Sequence, residues 1–171
     1  MNADYFRLLY DYNEWANRVV LEAASALREE QLQAPIPGLA YVSILGTLAH
    51  LLGTELSWLS RWQGAPLPAI PGPADFASFA ALRDRWEPHA ATLLAFVGAL
   101  SDDDVRATLQ YANTSGDHFA NPLHELLAHV VNHGTQFRGE AAVGLTALGH
   151  SPGNLDLLRF LRNRHKVVRR T

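Results

Sequence analysis

The sequence predicts an all-α fold, a four-helix bundle. Four long stretches carry apolar side chains at helical spacing, cap and stop signals bound each of them, and no repeat or low-complexity tract interrupts the pattern. With 171 residues, 48% of them hydrophobic and 18% charged, the chain has apolar material for one ordinary core, so a single domain over residues 1–171 is expected.

The first helix is expected from about Asp4 to Leu27, where Phe6, Leu9, Tyr10, Tyr12, Val19, Val20 and Leu27 recur at helical spacing before Pro35, Pro37 and Gly38 stop it. Ser43 is placed to cap a second helix, "ILGTLAHLLGTELSWLSRW", that Gly64 and Pro66 close at Trp62. The proline-dense "GAPLPAIPGP" is a loop, after which Asp75 caps a third helix over about Phe76–Leu100, with Pro88 kinking or splitting it. Between Ser101 and Pro122 a short hairpin is expected, Arg106–Tyr111 pairing with residues near Phe119 around "NTSGD". Asn121 followed by Pro122 signals the start of a fourth helix that ends at Leu148–Gly149. A short amphipathic helix, "NLDLLRFLRNR", completes the expected fold.

A net charge of −3 gives no global attraction to nucleic acid or to an anionic membrane. The chain has no cysteine, and with it no disulfide, thiolate ligand or thiol nucleophile, so any thiol chemistry acts on a substrate's sulfur. Its one lysine, Lys166, leaves little scope for Schiff-base catalysis. The start lacks a basic segment followed by an apolar run, and apolar runs such as "LLAFVGAL" fall short of the roughly 20 residues of a membrane span. A cytoplasmic protein without membrane or nucleic-acid partners is the expectation.

Of the eight histidines, three are placed to cooperate. Four residues turn a helix by about 400°, so His129 and His133 share one face about 6 Å apart along the axis. Two imidazoles in that arrangement can reach one ion. His50 lies mid-helix in the apolar "LGTLAHLLG", where an imidazole needs a partner. It is either a core histidine bonded to a carbonyl or carboxylate, or the group from a second helix that lets a bundle converge three nitrogens.

Two other patterns carry less. "HELLAH" is one residue longer than the zincin motif, which puts His124 and His129 about 140° apart around the helix. "GHSPG" matches a nucleophile elbow in spelling, but it follows a helix rather than a strand. Pro152 also lacks the N–H that an oxyanion hole needs there, so the stretch reads as a helix stop and turn. The tail "RFLRNRHKVVRR", with six of the fourteen basic residues, reads as a solvated end.

"YNEWANRVVL", "LAHLLGTELSWLSRW", "HVVNHGTQFRGE" and "LGHSPGNLDLLRFLR" occur in that order along nearly the whole chain and together resemble the DinB-like (DinB/YfiT) superfamily. The resemblance implies a four-helix bundle, often a homodimer, with a divalent metal ion, zinc or nickel first, held by three histidines. One is on the second helix and two lie four apart on the last long helix. It also implies, for some members, transferase or isomerase activity with a low-molecular-weight thiol. Carried over to this sequence, His50 matches the helix-two ligand and His133 the histidine of the "NH" pair. The position of the third ligand is occupied by Phe137, and Glu140 stands where the family has glutamine.

His129 is the expected substitute, giving a candidate metal set of His50, His129 and His133. Gln136 offers a poor amide oxygen for such an ion. Glu140, about 10.5 Å beyond His133 along the axis, is read as an outer or substrate-facing acid. The expected function is a metal-dependent thiol transferase or hydrolase acting on a small-molecule thiol, with Glu55 and Glu140 as candidates either for proton transfer or for a surface or ion-pair role. The alternative is a non-catalytic bundle with a degenerate metal site, in which Trp58, Trp62 and Phe137 line a pocket for ligand binding or dimerisation.

Overall fold

The computed structural model describes residues 2–113 and 115–165. Four long helices, α1 (Ala3–Ala24), α3 (Ile44–Trp62), α4 (Phe79–Ala99) and α6 (Leu123–Ala147), form a bundle. Helix α6 packs on α1 and α3, and α4 closes the opposite side against the same two helices. Short helices α2 (Glu29–Gln33), α5 (Asp102–Arg106) and α7 (Leu157–Arg164) and one antiparallel hairpin, β1 (Thr108–Ala112) with β2 (His118–Pro122), complete the order.

Local chemistry accounts for the ends. The Asn2 side chain accepts the Tyr5 N–H at the start of α1, and Ser43 Oγ accepts the Gly46 N–H at the start of α3. Helix α1 stops at Ala24 rather than Leu27, because Arg28 begins a new turn in which Gln31 reaches back to the Arg28 N–H. Leu32, on that turn, is buried. Helix α4 begins at Ser78, whose hydroxyl accepts the Ala81 N–H, while Asp75 instead closes a 3₁₀ turn over Pro73–Asp75. Pro88 does not split α4, which runs unbroken through it.

The hairpin forms as expected, with Tyr111 directly opposite Phe119, and α5 precedes it unforeseen, capped by Ser101. Strand β2 takes up Asn121 and Pro122, so α6 begins one residue later and the Asn121 amide donates to Glu125 instead of capping. Gly149 ends α6 with positive φ, and the His150 N–H returns to the Leu145 carbonyl, as a helix stop requires. Helix α7 starts at Leu157, capped by Asp156, and Arg164 pairs with Asp11 of α1. The rest of the basic tail, from Lys166, lies outside the described residues. Among the described residues no helix is long and apolar enough to cross a membrane.

The core falls into two apolar clusters. One gathers Val20, Leu45, Leu52, Trp86 and Ala141, and the other gathers Phe6, Tyr10, Leu59, Leu93 and Leu127. Between them, at positions 13 and 17 of α1, 55 of α3, 89 of α4 and 138 of α6, lies a layer of buried polar side chains.

Candidate functional site

Helices α3 and α6 bring His50 and His133 together, their Nε2 atoms 2.9 Å apart. Thr54, one turn along α3 from His50, has its hydroxyl 3.5 Å from His133 Nε2. At 2.9 Å one nitrogen donates and the other accepts, so at least one ring is neutral with its Nε2 lone pair directed at its partner. Burial, then the nearby His50 and His129, push His133 down to about 4, against a smaller upward pull from Glu55. Burial also lowers His50, opposed by Glu140, and lowers His129. All three imidazoles therefore favour the neutral form, the state in which the ring ligates metal.

His129 lies one turn before His133 on α6, with ring centroids 5.9 Å apart, and its ring meets Trp58 edge to face at 5.4 Å. Phe137, one turn after His133, sits 4.5 Å from that ring and 4.6 Å from His50. Tyr41 stacks on His50 at 3.8 Å and 16° between planes, from the loop before α3. Beyond Trp58 the row continues into the hairpin, with Tyr111 5.2 Å from Trp58 and Phe119 5.7 Å from Tyr111. An aromatic row thus lines the α3–α6 groove from Tyr41 at one end to Phe119 at the other. These end rings are 39% and 45% exposed.

The Tyr41 end is held in a strained turn. The Ser43 N–H bonds to the Tyr41 carbonyl at 2.7 Å across Val42, whose φ is +67°. This is a γ-turn with a left-handed central residue, costly for a β-branched side chain. Gly46 makes the approach feasible, because a Cβ there would lie 2.2 Å from the Tyr41 carbonyl oxygen. Glu140 Oε2 accepts the Ala40 N–H at 3.1 Å, which pins the loop onto α6. Glu140, read from sequence as an outer or substrate-facing acid, thus fastens the loop before α3 to α6.

Glu55 likewise has a structural placement. It is 3% exposed at the bundle centre. Its Oε1 accepts the amides of Asn13 and Asn17 at 2.7 and 3.0 Å, and its Oε2 lies 3.5 Å from His89 Nε2. The amide oxygens of Asn13 and Asn17 in turn accept from Arg138 Nη1 at 2.6 and 2.9 Å. Burial alone pushes the Glu55 carboxyl up, but the hydrogen bond and charge of His89 with the two amides outweigh it, and the net shift is downward. Gly134 makes room for this layer, since a Cβ there would lie 2.6 Å from Arg138 Nη1 and 2.8 Å from Asn13 Oδ1.

The sequence reading missed Asn13, Asn17 and Arg138. Their signal was two asparagines four apart on the buried stripe of α1, and an arginine next to Phe137. Trp62 is a core residue, stacked on Phe96 and edge-on to Tyr10, and it backs Trp58 at 6.3 Å between ring centroids. His124 turns away to the Val105 carbonyl, as its five-residue offset from His129 predicts. Gln136 is exposed.

The sequence model of the DinB family matches residues 1–167. The chain belongs to the DinB family. Protein DinB of Bacillus subtilis (strain 168) is 24% identical over 178 residues, covering 96% of this chain and 99% of that protein.

For this DinB-family chain the donor geometry decides how well a metal ion fits. Two imidazole nitrogens, each about 2.0–2.1 Å from a first-row ion, lie about 2.9–3.4 Å apart for ligand angles of about 90–109°, so the spacing of His50 and His133 suits neighbouring positions on one ion. A third donor does not converge with them: among the described residues no three His, Asp or Glu side chains are arranged to hold a metal. Phe137 presents carbon to the pair. The residues present fit an ion in two positions and leave the others to solvent or substrate.

Proposed function

We propose that the α3–α6 groove is a divalent-metal site, zinc or nickel, held by His50 and His133 with His129 as third ligand, where a small-molecule thiol reacts in a transferase or hydrolase reaction. The observation that carries this reading is the 2.9 Å approach of two Nε2 atoms from different helices in a partly exposed groove. A core histidine would instead face a carbonyl or carboxylate, as His89 Nε2 faces Glu55 Oε2 at 3.5 Å. When bound, such an ion supplies Lewis acidity that favours the deprotonated form of a thiol or water.

The chain's own residues prepare the place. Stacking on Tyr41 fixes the plane of the His50 ring, and Phe137 shields one side of the pair from water. The Thr54 hydroxyl is within reach of a group seated at His133 Nε2. The lack of cysteine removes a protein thiol that would compete for the ion.

Phe137 favours a second reading, in which the site is degenerate and the bundle binds a ligand or pairs as a homodimer without catalysis. Elemental analysis of the purified protein, with zinc and nickel titration calorimetry, separates the two. Stoichiometric metal that is lost in His133→Ala and weakened in His129→Ala supports the first. Metal-free native protein that gains one equivalent in Phe137→His supports the second. Sedimentation equilibrium tests the proposed homodimer in either case.

A further inference from the structure

The hairpin end of the groove is built differently from the histidine end. Trp58 is half-buried, faces His129 on one side and Tyr111 on the other, and has the Arg61 guanidinium 4.9 Å from its ring centroid. Arg61 Nε donates to the Ala112 carbonyl at 3.1 Å, which ties the hairpin to α3 and holds the guanidinium beside Trp58. Among the described residues no carboxylate lies within ion-pair distance of Arg61, and its Nη1 and Nη2 donate to no protein acceptor.

A partly buried guanidinium with two free NH2 groups beside an aromatic face is the pairing that recognises a planar anion: a ring stacks while the fork binds a carboxylate, sulfonate or phosphate. Position on the helix sets the scale. His50, Thr54, Trp58 and Arg61 form one stripe of α3, and at about 1.5 Å per residue Trp58 and Arg61 lie about 12 and 16 Å along the axis from His50.

We infer that Trp58, Tyr111 and Arg61 form a specificity pocket for an elongated substrate whose distal end is planar and anionic, held about 12–16 Å from the reacting group. The inference rests on the histidine pair being the reacting end of the groove, and names what the other end selects. Phe119, stacked on Tyr111 and 45% exposed, extends the surface for rings longer than one.

The test uses two fluorescent probes of nearly the same shape, anionic 1-anilinonaphthalene-8-sulfonate and uncharged N-phenyl-1-naphthylamine, on the wild type, Arg61→Met, Arg61→Lys, Trp58→Ala, Trp58→Phe and His133→Ala. Each variant is first checked for native circular dichroism. Arg61→Met is expected to weaken the sulfonate about tenfold, the loss of a charge-assisted contact, and to weaken the uncharged probe, which feels only the lost tether to Ala112, by a clearly smaller factor. Arg61→Lys should recover most of the sulfonate affinity. Trp58→Ala should weaken both probes about fivefold or more, and Trp58→Phe should restore part of it and stands in if the alanine variant does not fold.

Sulfonate binding that ignores Arg61→Met, or probe binding that ignores both Trp58 variants, places the ligands elsewhere and overturns the inference. Zinc titration of the same proteins keeps the two readings apart. If His133→Ala abolishes metal binding while the probe pattern holds, both stand. If the wild type binds no metal but the pattern holds, only the metal reading falls, and if metal binds without the pattern, only the pocket falls.

Discussion

Replacing Glu55 by glutamine removes one charge from the centre of the bundle and little else. Glutamine keeps an oxygen to accept from Asn13 and Asn17, and its amide can face His89, which then accepts. What changes is the compensation of Arg138, which is 1% exposed and, among the described residues, donates to neutral oxygens of Asn13, Asn17 and Thr135. Breaking a buried charge pair by neutralising one member costs about 3–5 kcal/mol. For a domain of this size that corresponds to a drop in Tm of about 6–20 °C, at about 2–4 °C per kcal/mol.

The assay is urea and thermal unfolding followed by circular dichroism on the wild type, Glu55→Gln, Arg138→Met and the double variant. Two methionine-and-amide replacements leave no unpaired charge, so the double variant should be more stable than either single change alone predicts, by about 1–3 kcal/mol of coupling. A single-variant loss below about 1 kcal/mol, or strict additivity in the cycle, would refute the reasoning that the two charges balance through the asparagine bridge.

Three further outcomes follow from the same coordinates. In Gly46→Ala the new methyl meets a backbone oxygen at 2.2 Å, and the displaced loop should cost about 1–3 kcal/mol in urea unfolding and weaken metal or probe binding at the Tyr41 end. Val42→Gly relieves a left-handed β-branched residue that is 59% exposed; relief of strain set against added chain entropy should leave stability unchanged or raised by up to about 1 kcal/mol, and a clear loss would contradict the γ-turn. Stability should also fall with acid in two windows. Folded His133 titrates near 4 against about 6.5 unfolded, so the unfolded chain alone takes a proton between these values and stability is lost as pH drops through them. Glu55, held below its ordinary value, adds a loss only below about 4.3; urea midpoints against pH should show a shallower first window in His133→Ala, where His50 and His129, also lowered, still contribute and Glu14, raised to about 7, opposes them, and should lose the second in Glu55→Gln.

The sequence by itself determined the bundle, because helical periodicity, Ser43, the proline-dense loop and Gly149 are local signals that act through hydrogen bonds within a few residues. It also marked His50 and His133, since an imidazole in an apolar stripe and a pair four apart stand out in one dimension, and it located the hairpin from a turn flanked by strand formers. Pro88 does not split α4, because packing on α1 and α3 outweighs one missing N–H, and Asp75 gives way as cap to Ser78 three residues later.

Only the tertiary structure decided which side chains meet. Glu55 and Glu140 look alike as acids in a sequence, yet one lies against two asparagines and a histidine from other helices and the other holds a loop N–H 100 residues away. The join of Trp58 and Arg61 to a hairpin about 50 residues later is equally invisible along the chain. Spacing along a helix fixes which residues share a face, but which faces oppose each other depends on how all four helices bury their apolar stripes at once.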